Sequence, residues 1–279
     1  MAVVLRIYVE KITLVNARKE LHAVADPKTV RFTMYSPRNT SAYGRRGAFG
    51  SRYQFQAASQ YDVTQASGLV SKVMGLLSFS FVFATIGAFV GSALLPLGLS
   101  LGGTWILFIA AIIVLFALQA MIQKPGINLF LLYLFTFIEG MAIGPLLGLY
   151  FGLGLGHIVV EAFLITAVTA IALGLYAWVA KTDFSRMRDY LFVGLILIIV
   201  ASLLNIFFQS TLLVLVICIA GIAIFCGFIL YDVQKVKYAA NTLPNAIGIT
   251  VSLFLDVLNL FIFILELLTI LQGGGRGRR

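Results

Sequence analysis

Residues 212–271 read LLVLVICIAGIAIFCGFILYDVQKVKYAANTLPNAIGITVSLFLDVLNLFIFILELLTIL, two long apolar stretches separated by a short polar turn. The first stretch runs into Asp232, and the second carries Asp256 well inside it. Each aspartate is twelve residues from Pro244, so an antiparallel helical hairpin that bends at Pro244 would place the two carboxylates side by side. An ionisable residue inside a membrane span is costly and usually functional.

The composition of the whole chain is typical of a membrane protein. Of its 279 residues, 61% are apolar and only 11% are charged, and the mean hydropathy is +1.01. A helix needs about 20 apolar residues to cross a bilayer, and seven stretches approach or exceed that length. They are Val73–Leu95, Trp105–Ile122, Ile127–Phe151, Ile158–Ala180, Tyr190–Phe208, Leu212–Tyr231 and Ala246–Leu271. The sequence therefore predicts an all-α membrane protein with seven transmembrane helices.

The basic residues predict the orientation of these spans. Seventeen of the 20 Lys and Arg residues lie before the first span or in the loops between spans 2–3, 4–5 and 6–7. By the positive-inside rule these segments face the cytoplasm and the C-terminus faces outside. The net charge of +9 thus indicates a bilayer partner and no nucleic acid. Short loops and no targeting signal favour a bacterial plasma (inner) membrane.

Three regions are predicted from this pattern. Residues 1–68 are expected to form a basic, largely disordered cytoplasmic segment, residues 69–271 the seven-helix domain, and residues 272–279 a short Gly/Arg tail. The loops leave no soluble domain for a catalytic site, so function is expected among the helices and the chain is not expected to be an enzyme.

The chemistry of Asp232 and Asp256 follows from their expected proximity. Two carboxylates close together in a low-dielectric medium cannot both be ionised cheaply, so the pair is expected to share a proton and to titrate as a unit. When both are ionised they would attract a hard cation such as Ca²⁺. Two ligands are too few for tight binding, so only a weak, transient calcium site is expected, with no other cofactor. The alternative for Asp232 is an exposed helix-end acid paired with Lys235.

Among the other polar residues in the spans, four are singled out: Glu139, Asn205, Asn259 and Glu266. Asn259 and Glu266 follow Asp256 at three and ten residues, near one stripe of the seventh helix. All four are candidates for supporting an ion pathway. Interhelical hydrogen bonding is the alternative for Glu139 and Asn205, and solvation at the membrane surface is the alternative for Glu266.

Gly140, Gly144 and Pro145 in the third span are interpreted as packing residues. The two glycines form a small-xxx-small face that permits close approach of another helix. Pro145 frees the carbonyl of Met141 from its backbone hydrogen bond, which predicts a bend.

The sequence resembles the Bax inhibitor-1 (TMBIM) family over about residues 69–271. The resemblance rests on Glu139-Gly140…Gly144-Pro145, on Leu230-Tyr231-Asp232-Val233-Gln234, and on Leu255-Asp256-Val257-Leu258-Asn259-Leu260-Phe261. It implies six helices wrapped around a central seventh, and a pH-sensitive calcium leak with Asp232 and Asp256 as its di-aspartyl sensor. It also implies links to stress and cell-death control. The membrane-embedded arginine described for some members has no counterpart in the second or third span.

Two other functions remain open from the sequence. The chain could regulate another membrane protein, such as a membrane protease, without ion flux, and residues 1–68 would then be the candidate binding segment. Intramembrane aspartyl proteases also carry Tyr-Asp on one helix and an aspartate on the next. Their second aspartate follows Gly-x-Gly, whereas Phe254 and Leu255 precede Asp256 here, so proteolysis is not favoured.

Overall fold

The computed structural model describes residues 63–94, 100–184 and 186–273. These ranges form seven α-helices and no strands. The helices are α1 (Val63–Leu94), α2 (Ser100–Ala120), α3 (Ile127–Gly152), α4 (Gly156–Val179), α5 (Met187–Phe208), α6 (Thr211–Tyr238) and α7 (Leu243–Gly273). The segments predicted at residues 1–68 and 272–279 lie almost entirely outside the described residues.

Six of the helices are long and apolar enough to cross a membrane, with spans of 22–30 residues. The exception is α2. Among the residues whose side chains are described, its apolar part is Ile106–Ala120, which is shorter than the other six spans. Large apolar side chains also point outward: Phe89 is 76% exposed, Val179 79% and Phe207 84%. Such surfaces are stable in a bilayer, where lipid tails cover them. The predicted all-α, multi-pass membrane architecture is confirmed.

The C-terminal helix α7 lies at the centre of the bundle. It has the most buried span, 56%, and it packs against α1, α3, α4 and α6. Its Phe254 belongs to a core cluster with Leu115 of α2 and Phe135 of α3. On its other side, Leu260 belongs to a cluster formed mainly by α4, α5 and α6. Helix α7 is thus the most buried span and contacts four of the six earlier helices directly.

Helices α1 and α3 touch through their backbones. A Cβ atom added at Gly140 or Gly144 would collide with the carbonyl oxygen of Ala84 or Ala88, respectively, on α1. The predicted close-approach face is thus confirmed. The partner helix is α1. From the first contact to the second, the residue number rises by four on both helices, so α1 and α3 run parallel.

A second row of contacts involves the proline in α3. The helix continues through Pro145, which has no N–H to bond the carbonyl of Met141. That carbonyl lies against Gly91 of α1, where a Cβ atom would collide with it. Glycine at this position lets the neighbouring helix cover the freed carbonyl closely.

The turn between α6 and α7 differs from the predicted bend at Pro244. Helix α6 continues to Tyr238, and the linker comprises residues 239–242. Pro244 lies in the first turn of α7, where its missing N–H has no helical partner to lose. Asn245 donates its side-chain amide to the carbonyl of Ala240, at 3.0 Å, and so closes the turn.

Candidate functional site

Asp232 and Asp256 are both completely buried, with 0% of either side chain exposed. Asp232 lies inside α6, six residues before the helix ends at Tyr238. Burial therefore contradicts the alternative of an exposed helix-end acid at this position. Asp256 lies among core residues of α7. Both groups are held in the interior of the bundle, away from bulk water.

Three contacts define the register of α6 on α7. The rings of Phe225 and Phe263 stack with their centroids 5.8 Å apart and their planes 28° apart. A Cβ atom added at Gly221 would meet the same Phe263 ring. One turn further along, the thiol of Cys218 lies close to the carboxylate of Glu266. Residue numbers fall on α6 as they rise on α7, so the helices are antiparallel.

The stacked pair also gives a reference for the two aspartates. Asp232 follows Phe225 by seven residues, and Asp256 precedes Phe263 by seven residues. Seven residues are about two helical turns, which return a side chain to nearly the same face. The two aspartates are therefore on the faces of α6 and α7 that carry the stacked rings, and at matching distances from them.

The register of α3 on α7 is set by two contacts far apart along the helices. The rings of Phe135 and Phe254 meet edge-on with centroids 6.3 Å apart. The hydroxyl of Tyr150 lies 2.7 Å from that of Thr269. In both pairs the α7 residue is 119 positions after the α3 residue, so α3 and α7 run parallel over this whole length.

Glu139 is a third buried acid, only 1% exposed. Its Oε1 atom accepts no hydrogen bond from the described residues. It lies one turn beyond Phe135, and the register of α3 puts it level with Leu258, about 3 Å along the axis from Asp256. Within the described ranges no group of three or more His, Cys, Asp and Glu side chains could hold a metal ion. Glu139 thus does not complete a three-carboxylate metal site with the aspartates.

The other three predicted polar residues lie in different surroundings. Asn259 is 2% exposed and donates its amide to the carbonyl of Leu255 on its own helix, at 2.6 Å. Asn205 accepts a hydrogen bond from the backbone N–H of Ser210 and so terminates α5. Glu266 is exposed near the opposite end of the bundle from the α6–α7 turn. Each has a local structural role in addition to any part in ion passage.

The sequence-based interpretation did not single out Gln234 and Lys237. The side chain of Gln234 is buried and bonds the loop between α4 and α5, and Lys237 bonds the last turn of α4. The available signal was a polar residue in the apolar α6, two positions after Asp232. Its partners are about fifty residues away in sequence, which local patterns do not reveal.

Comparison with known proteins identifies the family. The sequence profile of the family described as "Inhibitor of apoptosis-promoting Bax1" matches residues 66–273. An uncharacterised protein of Campylobacter jejuni is 37% identical over 220 residues, which are 77% of this chain and 94% of that protein. An uncharacterised membrane protein of Vibrio cholerae is 36% identical over 198 residues, 71% and 86% of the two chains.

A viral relative has a name that states a role. The Golgi anti-apoptotic protein of vaccinia virus is 30% identical over 203 residues, which are 71% of this chain and 84% of the viral protein. The family match covers nearly all the described residues, including α3, α6 and α7 with their buried acids. The chain is therefore a multi-pass membrane protein of the Bax inhibitor-1 family, which is linked to anti-apoptotic function.

Proposed function

We propose that the protein is a pH-sensitive calcium leak, gated by Asp232 and Asp256 acting as a pair. The observation that supports this most strongly is the burial of both carboxylates at matching positions on two antiparallel helices. Buried acids are expensive in a membrane protein and usually serve transport or proton transfer.

Gating follows from the charge of the pair. When one proton is shared, α6 and α7 remain packed and the cytoplasmic end is closed. When both groups are ionised, they repel each other by about 4 kcal/mol for a separation of 4 Å at an effective dielectric constant of 20. This energy is large enough to shift an equilibrium between two packed arrangements, because 1.4 kcal/mol corresponds to about a factor of ten. The leak therefore opens as pH rises.

Calcium is the cation whose chemistry suits the pair. Ca²⁺ binds carboxylate and carbonyl oxygens and takes six to eight of them. Two aspartates supply only part of that set, so the ion stays briefly and passes on. Glu139 lies about 3 Å further along the axis and is the next carboxylate on the proposed route, with Glu266 nearer its outer end.

Calcium flux into proteoliposomes across a pH series tests the proposal. Wild type should show flux that rises with pH. Asp256→Asn and Asp232→Asn should keep flux at the low-pH level throughout, because the pair can no longer carry two charges. Asp189→Asn is the matched control, since it makes the same change at an exposed position on α5. If the buried variants keep the wild-type pH response, the aspartates are not the gate.

The proposed setting is a bacterial plasma membrane with the N-terminus in the cytoplasm. The bacterial relatives and the distribution of Lys and Arg support this assignment. The name of the vaccinia protein also favours a second function, regulation of a partner membrane protein in cell-death or stress pathways. A deletion of residues 1–62 that preserves flux but removes a co-purifying membrane protein would support that second function.

A further inference from the structure

Gln234 joins α6 to the loop that connects α4 and α5. Its side chain is only 4% exposed. Its Oε1 accepts a hydrogen bond from the backbone N–H of Phe184, at 2.6 Å, and its Nε2 donates one to the carbonyl of Thr182, at 2.7 Å. The side-chain amide thus uses both its acceptor and its donor on the backbone of one loop.

The same end of α6 is bonded to the last turn of α4. Lys237 Nζ donates to the carbonyl of Ala177 at 2.7 Å and lies 5.4 Å from the ring of Trp178. The carbonyls in the last turn of a helix have no partner within it, so a cation there is favourable. The loop is itself anchored to α4, because the Phe184 ring is 6% exposed and lies 6.1 Å from that of Tyr176.

These contacts lie on the face of α6 opposite to Asp232. Gln234 and Lys237 are three residues apart and share a face of the helix. Asp232 is two residues before Gln234, a rotation of about 200°, which places it on nearly the opposite face. The end of α6 is therefore held between α7 on one side and the end of α4 with its loop on the other.

We propose that Gln234 is a positioning residue that regulates the gate by clamping α6 to the α4–α5 loop. This inference rests on the proposed function. Repulsion between the aspartates would push the end of α6 away from α7 and toward this loop, where hydrogen bonds of 2.6 and 2.7 Å leave no room for a closer approach. Because the Phe184 ring anchors the loop to Tyr176 of α4, α6 can move that way only by giving up both hydrogen bonds of Gln234. The clamp thus stabilises the closed, protonated arrangement. The charged residues of the surrounding elements at this end are Lys72 of α1, Lys181 and Asp183 of the loop, Arg186, Arg188 and Asp189 at the start of α5, Asp232, Lys235 and Lys237 of α6, and Asp256 of α7.

The pH–flux curve of Gln234→Leu provides the first test. Two neutral hydrogen bonds together change an equilibrium constant by about a factor of ten. For an equilibrium coupled to one proton, this factor corresponds to a shift of about one pH unit. Losing them weakens the closed state, so more protons are needed to close it, and the midpoint should move about one pH unit toward acid. Gln272→Leu, the same change at the other end of the bundle, should not shift it.

Limited trypsin digestion after Lys181, from the cytoplasmic side, gives a second and flux-independent readout. Lys181 is exposed next to the clamped residues, so Gln234→Leu should be cleaved several-fold faster than wild type at the most acidic pH at which trypsin still cleaves a denatured control. A wild-type midpoint in Gln234→Leu overturns the proposal, whether or not cleavage accelerates, because the clamp then does not act on the gate. Wild-type protein without pH-dependent flux would instead defeat the proposed function, and this inference with it.

Discussion

Phe225 of α6 stacks on Phe263 of α7, with ring centroids 5.8 Å apart, two helical turns from a fully buried aspartate on each helix. This contact sets how far α6 and α7 are shifted along each other. A shift of one turn would move the two acids about 5.4 Å apart along the axis. The aromatic pair thus determines whether Asp232 and Asp256 can interact, although it carries no charge.

The first prediction concerns stability and pH. If the two carboxylates face each other, raising the pH from 5 to 8 should destabilise the wild-type bundle, because ionisation of the second group adds repulsion and desolvation to the folded state. Asp256→Asn should abolish most of this loss. Thermal unfolding in detergent at both pH values measures it, with Asp189→Asn as the control.

A double-mutant cycle shows whether Asp232 and Asp256 interact or behave as two independent acids. Neighbouring residues show coupling energies of about 0.5–3 kcal/mol. The effects of Asp232→Asn and Asp256→Asn on stability at pH 8 should therefore not add in the double variant. Additive effects would mean that the two side chains do not interact.

The second prediction concerns the contact between α1 and α3. A Cβ at Gly91 would collide with the backbone carbonyl of Met141, and backbone cannot move aside as a side chain can. Gly91→Ala should destabilise the bundle by about 1–3 kcal/mol, the usual cost of overpacking. Gly75→Ala on the same helix is the control, since nothing lies within 4 Å of its added Cβ. Equal effects of the two changes on the unfolding temperature would contradict the close contact.

The third prediction concerns Glu139, whose Oε1 accepts no hydrogen bond from the described residues and which is 1% exposed. An ionised carboxylate is costly at such a position. Glu139→Gln should therefore raise the unfolding temperature at pH 8 more than at pH 5, since only the ionised form carries the extra cost. A uniform change at both pH values would contradict a change in the protonation of Glu139 between them.

The fourth prediction concerns the opposite end of the bundle. The Thr269 hydroxyl donates to the carbonyl of Leu265 at 2.7 Å, so in the Tyr150–Thr269 pair the tyrosine is the donor. Tyr150→Phe should cost about 0.5–1.5 kcal/mol of stability. Tyr176→Phe, at a residue that is 57% exposed, should cost less. The difference in unfolding free energy between the two variants checks the assignment.

Several features of the fold could be read from the sequence because they depend on local composition. Long apolar stretches have few alternatives to a membrane helix, so the seven helices and the membrane class followed directly. The spacing Gly140-x₃-Gly144 likewise indicated a close helix contact. The position of the turn did not follow, because Pro244 is as compatible with the first turn of a helix as with a bend.

What only the tertiary structure decided was which residues meet across the bundle. The sequence by itself determined a helical membrane protein with an acid on each of its last two helices, because long apolar stretches have few alternatives to a membrane helix. That Asp232 is buried and not exposed at a helix end was decided by the tertiary structure. The sequence did not determine that Gly91 covers Met141, that Phe225 and Phe263 set the register, or that Gln234 reaches Thr182 and Phe184. These contacts join segments far apart in the chain, and packing of whole helices selects them from many arrangements that local propensity leaves nearly equal in energy.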